Sequence, residues 1–114
     1  MANPVGVEQR RFPRVPFQRG VRFRSQDTDL FCGQAARDIS QGGIRINSES
    51  FIPAGSTVML QIQLEGEGRL INLSGRVAWA RFLSSLDKFQ IGIEFSSDIG
   101  FGQWKIARYV VSTQ

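Results

Sequence analysis

Val58-Met59-Leu60-Gln61-Ile62-Gln63-Leu64 alternates strongly apolar residues with more polar ones without a break. A period of two puts Val58, Leu60, Ile62 and Leu64 on one side of a pleated strand. Pro53-Ala54-Gly55 precedes it as a turn signal, and Glu65-Gly66-Glu67-Gly68 follows as a hairpin loop. Working outward, the same period returns. Downstream, Ile71, Leu73, Gly75, Val77 and Trp79 share a face; Phe89, Ile91, Ile93 and Phe95 share the next, after a loop near residues 84–88. Upstream, Ile44 and Ile46 alternate with Arg45 and Asn47, and Val21 and Phe23 with Arg22 and Arg24. Phe31, Gly33, Ala35 and Arg37 lead toward a turn at Asp38. Residues 101–111 break the pattern and fit one short helix, with Ser97 or Asp98 as its cap.

Six or seven strands at regular spacing predict an all-β chain with a terminal helix. Closing such a sheet into a small barrel removes its edges and fills its core. Residues 1–17 read differently. Pro4, Pro13 and Pro16 disfavour helix and bias their neighbours toward extended geometry. The expected organisation is a flexible Arg-rich segment over 1–17, then a six-stranded antiparallel barrel with its helix over 18–114.

The chain has 114 residues, room for one domain and one modest core. No apolar run is long enough to span a bilayer as a helix, so no membrane insertion is expected. Met1-Ala2-Asn3-Pro4-Val5-Gly6-Val7-Glu8 lacks the basic and apolar regions of a signal peptide, which points to the cytoplasm. The single cysteine, Cys32, has no internal disulfide partner and reads as a small hydrophobe in a strand. There is no histidine, the commonest general base near neutral pH. Ser-His, Cys-His and zinc-water mechanisms are thereby removed, and no tight carboxylate constellation replaces them. The expectation is a chain with no catalytic residues, no metal site and no cofactor.

The net charge of +4 is unevenly placed. Residues 8–24 hold six arginines and one glutamate; the rest of the chain is close to neutral. Twelve of the fourteen basic residues are arginine, whose planar fork of donors suits phosphate and guanine edges. Within that cluster stands Arg10-Arg11-Phe12-Pro13-Arg14, an RxxxR frame with an extra arginine inside it. Asp38-Ile39-Ser40-Gln41-Gly42-Gly43, a DxSxxG frame, begins 24 positions after Arg14. One guanidinium can hold a phosphate, or the O6 and N7 edge of guanine, with two hydrogen bonds. Asp38 can accept from the guanine amino and imino groups, and Ser40 can reach a base or a phosphate. Gly42-Gly43 permits positive φ and close approach of a ligand. Alone, the second string is also an ordinary polar turn. Together the two fit a ligand that carries both phosphates and guanine.

On these strings, and on Gly75-Arg76-Val77-Ala78-Trp79 and Ile91-Gly92-Ile93-Glu94-Phe95 further along, the chain resembles the PilZ domain family, bacterial receptors for cyclic di-GMP. The resemblance runs from about Gln9 to Val111. It implies a six-stranded antiparallel barrel followed by a helix. It implies that Arg10 and Arg14 clamp phosphates and guanine, that Arg11 adds a phosphate contact or stacks on a base, and that Asp38, Ser40 and Gly43 hold a guanine. Trp79 has two readings, a stacking platform for a base or a core residue beside Ile71, Leu73 and Val77. A bulge or a strand end would turn its ring outward. Gln9 stands before Arg10 where a further arginine would add phosphate contacts, so one ligand or an intercalated pair both remain open. The implied function is a non-enzymatic sensor in which the anionic ligand orders the arginine-rich segment and changes the surface offered to an effector protein. Two other readings stand beside it: a barrel of this type that binds a protein and ignores nucleotide, and a small barrel for single-stranded nucleic acid. The near-neutral body of the chain disfavours the second.

Overall fold

Alternating side chains divide each strand into a core face and an outer face, and the observed strands follow that division. The computed structural model describes residues 13–17, 20–25, 32–64, 70–96 and 101–113. Its elements are β1 (Arg14–Pro16), β2 (Gly20–Ser25), β3 (Cys32–Ser40), β4 (Gly43–Ser48), β5 (Thr57–Ile62), β6 (Ile71–Leu83), β7 (Lys88–Phe95) and α1 (Phe101–Thr113). Every pairing is antiparallel. The pairings leave β3 through β2, β5, β6 and β7 to β4, and β4 pairs again with β3. Six strands thus form a barrel-like sheet, and the short β1 is added against β3.

The core is built largely of the predicted inward residues. Val21, Val58, Leu60, Ile62, Ile44, Ile46, Val77, Ile91 and Ile93 are all buried. Burying one such side chain stabilises the fold by about 1.5–3 kcal/mol. Helix α1 places Ile106 and Val110, one turn apart, into the same core. Tyr109 meets Phe17 edge to face with ring centroids 5.8 Å apart. The expected helix is present; its proposed caps, Ser97 and Asp98, lie outside the described residues, as does the expected 65–68 hairpin loop.

Two features differ from the expected organisation. Residues 14–17 belong to the sheet. Val15 and Phe17 are buried in the core, and β1 runs in register with β3, Arg14 opposite Ser40 and Pro16 opposite Asp38. Pro16 is tolerated because β1 lies at the margin, where a missing N–H leaves no ladder bond unmade. Asp38 and Ser40 also lie on β3, so the turn between β3 and β4 is only Gln41-Gly42.

The turn before β5 forms at Pro53-Ala54-Gly55. Ser56 donates its backbone N–H to Pro53 O at 3.1 Å, and Gly55 has φ +92°. An added Cβ at Gly55 meets nothing within 4 Å, so only the backbone conformation opposes a side chain there. Gly55→Ala is expected to cost about 1–2 kcal/mol. Urea unfolding with an unchanged m-value checks this; a midpoint equal to wild type would refute it.

Candidate ligand-binding site

Two bulges decide which side chains share the outer face of the sheet. In β3 the register shifts between Ala36 and Asp38, leaving Arg37 as the extra residue. Ala36 and Ile39, three positions apart, both enter the core. Strict alternation from Ala36 would have turned Asp38 inward. In β6 the register shifts between Val77 and Trp79, with Ala78 extra. Val77 is buried and Ala80 packs on the core, while Trp79 between them is 40% exposed. Trp79 therefore leaves the face of Ile71, Leu73 and Val77, and its core reading is corrected by the bulge.

Beside the two shifts, one row runs across five strands. Pro16 stands opposite Asp38, Asp38 opposite Arg45, Arg45 opposite Gly92, and Gly92 opposite Trp79. At one end of the row, Arg14 Nη1 donates to Asp38 Oδ1 at 2.8 Å, and Arg45 Nη2 donates to Asp38 Oδ2. The Asp38 side chain is only 14% exposed, whereas Arg14 and Arg45 are 38% and 36% exposed. Two guanidiniums on one carboxylate leave one positive charge in excess, facing solvent. Arg45 Nε is buried with no hydrogen-bond partner among the described residues.

At the other end, the Trp79 indole lies against the bare Cα of Gly92. An added Cβ at Gly92 would stand 2.3 Å from Trp79 Cε2 and 2.4 Å from Nε1. The Arg81 guanidinium lies 5.7 Å from the Trp79 ring centroid, and its Nη2 donates to Gln90 Oε1 at 2.9 Å. Gly92→Ala is expected to lift the indole off β7 and change its near-ultraviolet circular dichroism. In a Trp104→Phe background the signal belongs to Trp79 alone; an unaltered spectrum would mean that the ring rests elsewhere.

Ser40 and Gly43 work differently from the sequence expectation. Ser40 is buried, and its Oγ accepts from Gly42 N–H at 3.2 Å and lies 3.4 Å from Gly43 O. Its hydroxyl is engaged in the turn. Gly43 does not have a positive φ; Gly55 is the one such glycine among the described residues. An added Cβ at Gly43 would stand 2.3 Å from Ile93 O, so the close approach that it permits is to the β7 backbone.

The structure thus brings Arg14, Asp38 and Trp79 onto one face, with Ser40 and Gly43 shaping the turn beside them. Arg10 and Arg11 lie outside the described residues. Arg45 was missed by sequence reasoning, where it appears only as the polar partner of Ile44 and Ile46. The signal was available in the hairpin: a two-residue turn after Ser40 sets Ile39 opposite Ile44 and Asp38 opposite Arg45, before the bulge is reached. Among the described residues no group of His, Cys, Asp and Glu could hold a metal ion, and no helix is long and apolar enough to cross a membrane.

Comparison with known proteins adds an independent line. The family model described as PilZ domain matches residues 8–111. A search of curated proteins finds no match. Among solved structures, the Bacillus subtilis inhibitor of motility MotI/DgrA is similar with TM-score 0.77 and 22% identity, over 92% of this chain and 51% of that one. The K. pneumonia MrkH–c-di-GMP complex is similar with TM-score 0.71 and 18% identity, over 91% and 52%. The PilZ domain of Escherichia coli YcgR, solved with c-di-GMP, is similar with TM-score 0.68 and 12% identity, over 91% and 90%. The chain spans about half the length of MotI/DgrA and MrkH, and nine-tenths of the YcgR domain.

Proposed function

The chain belongs to the PilZ domain family, matched over residues 8–111, and from that premise we propose that it is a receptor for cyclic di-GMP rather than an enzyme. The observation that carries the reading is the row from Asp38 to Trp79. It offers a carboxylate for a guanine edge, an excess of guanidinium for phosphate, and an exposed indole for a base face. Such stacking contributes about 1–3 kcal/mol per base. Asp38 and Trp79 are three strand spacings apart, ~14 Å, so they address different bases. Two similar proteins, MrkH and the YcgR PilZ domain, were solved as complexes with c-di-GMP.

In this reading Arg10, Arg11 and Arg14 engage the phosphates and guanine, and Asp38 accepts from guanine N–H groups. Ser40 and Gly43 set the turn that holds Asp38 in place. Arg14 opens β1, so a ligand gripped by it and by Arg10 and Arg11 fixes the path of the chain ahead of the sheet. The surface made in this way is what an effector protein reads.

Calorimetric titration with cyclic di-GMP, with GTP as the control, tests the proposal. Saturable heat with a dissociation constant of about 1 μM, a binding free energy near −8 kcal/mol, is expected for cyclic di-GMP and not for GTP. The molar ratio then distinguishes one bound ligand from an intercalated pair. No heat from a folded sample would remove the receptor reading.

A further inference from the structure

Each oxygen of Asp38 accepts from a guanidinium. Arg14 holds Oδ1 and Arg45 holds Oδ2. A guanine edge that donates through N1–H and the 2-amino group needs acceptor capacity on that same carboxylate, and a phosphate needs a guanidinium released to it. Resting on the receptor reading, we infer that the ligand enters by an ion-pair exchange in which Arg14 leaves Asp38 for the ligand and Arg45 stays.

The two arginines differ in their supports. Arg14 begins a three-residue strand that pairs on one side only, with β3. Arg45 is the third residue of β4, which is paired on both sides, with β3 and with β7. Part of the Arg45 guanidinium is buried, since its Nε is shut off from solvent. Arg45 is therefore the fixed partner. Its charge holds the Asp38 carboxylate in place after Arg14 departs; without it, the freed carboxylate would face the ligand phosphates unshielded. Arg45 is a positioning residue, and it acts through Asp38.

The exchange also gives selectivity. A bare phosphate can draw Arg14 away but gives Asp38 nothing in return. A neutral guanine nucleoside can donate to Asp38 but gives Arg14 no anion. The exchange needs both, and cyclic di-GMP is set apart from GTP by its second base, which reaches Trp79 at the far end of the row. Cyclic di-AMP has the phosphates, but its adenine N1 is an acceptor and it has no 2-amino group.

The test is a double-mutant cycle on the whole chain, titrated calorimetrically with cyclic di-GMP and with cyclic di-AMP. Arg45→Gln is expected to weaken cyclic di-GMP binding by about 10- to 100-fold, the worth of a charge-assisted hydrogen bond. Arg45→Lys should recover part of that loss. In an Asp38→Asn background Arg45→Gln should add little, because its effect passes through the carboxylate. Urea unfolding of each variant excludes loss of fold as the cause. Arginine side-chain N–H resonances of the wild type supply a second readout: the Arg14 signal shifts on ligand addition while that of Arg45 persists. Wild type that binds while Arg45→Gln matches it, or an Arg45 signal that moves as far as that of Arg14, overturns the exchange alone. Wild type that does not bind overturns the receptor reading on which the exchange rests.

Discussion

Asp38→Ala is expected to raise the dissociation constant for cyclic di-GMP by about 100-fold or more while leaving the protein folded. The size follows from what the carboxylate does. It is the shared acceptor for Arg14 and Arg45 in a site where only 14% of its side chain is exposed. Removing it takes away the proposed guanine acceptor and leaves two guanidiniums side by side with no anion between them. A buried hydrogen-bonding partner removed from one side costs about 1.5–3 kcal/mol when the group is charged. Two such losses, one to the base and one to the aim of the arginines, reach the expected factor. Stability responds far less. Both arginines are more than a third exposed, so water and salt screen the pairs, and each contributes about 0–1 kcal/mol to the fold. Calorimetry for affinity and thermal melting for stability measure the two effects on one sample. Asp38→Asn separates charge from shape: it retains one carbonyl acceptor and is expected to fall between wild type and alanine. Wild-type affinity in Asp38→Ala would remove Asp38 from the site.

The row to which Asp38 belongs was only partly legible in the sequence. The strands themselves were plain where alternation is uninterrupted, as in β5 through Val58, Leu60 and Ile62, and in β7 through Ile91, Ile93 and Phe95. Local periodicity carries such strands because one face is buried throughout. The lead is expected to be flexible, yet Val15 and Phe17 join the core; the extended geometry that the prolines favour suits a marginal strand, which tolerates Pro16. Trp79 was ambiguous for a different reason. Strict period two from Ile71 carries it into the core, and only the extra Ala78 reverses its face. The same step governs Asp38 through Arg37. In both places the core-facing residues are three apart, buried Ala36 to Ile39 and buried Val77 to half-buried Ala80, a spacing that local alternation treats as noise. Arg45 was missed because its partner follows from counting back through the hairpin turn after Ser40, not from its own neighbours in the sequence. The chemistry of the DxSxxG frame was readable residue by residue, but the division of labour within it was not.

That division yields the largest stability effect expected in this chain. Gly43→Val should cost about 3 kcal/mol or more, at the top of the range for overpacking. The added Cβ meets Ile93 O at 2.3 Å, and both are backbone-determined positions with no flexible end to give way. The strands must part by about 1 Å before the two atoms reach contact distance. Parting them strains the Phe95 N–H bond to Gly42 O, now 2.9 Å, and loosens Ile44 and Ile46 from Ile91 and Ile93 in the core. Gly55→Ala contrasts with it: there a side chain finds open space and only φ opposes it. The melting temperature of Gly43→Val should fall by roughly 10 °C or more, at about 4–8 °C per kcal/mol for a domain near this size. A melting temperature within about 2 °C of wild type would show that the β4–β7 contact relaxes at little cost. Gly43→Val should also bind cyclic di-GMP poorly, because the turn that sets Asp38 opposite Arg45 is built on the same contact. Both Asp38→Ala and Gly43→Val then lose binding, but only the second loses stability with it. The frame thereby separates into an aspartate that meets the ligand and a glycine that lets two strands meet.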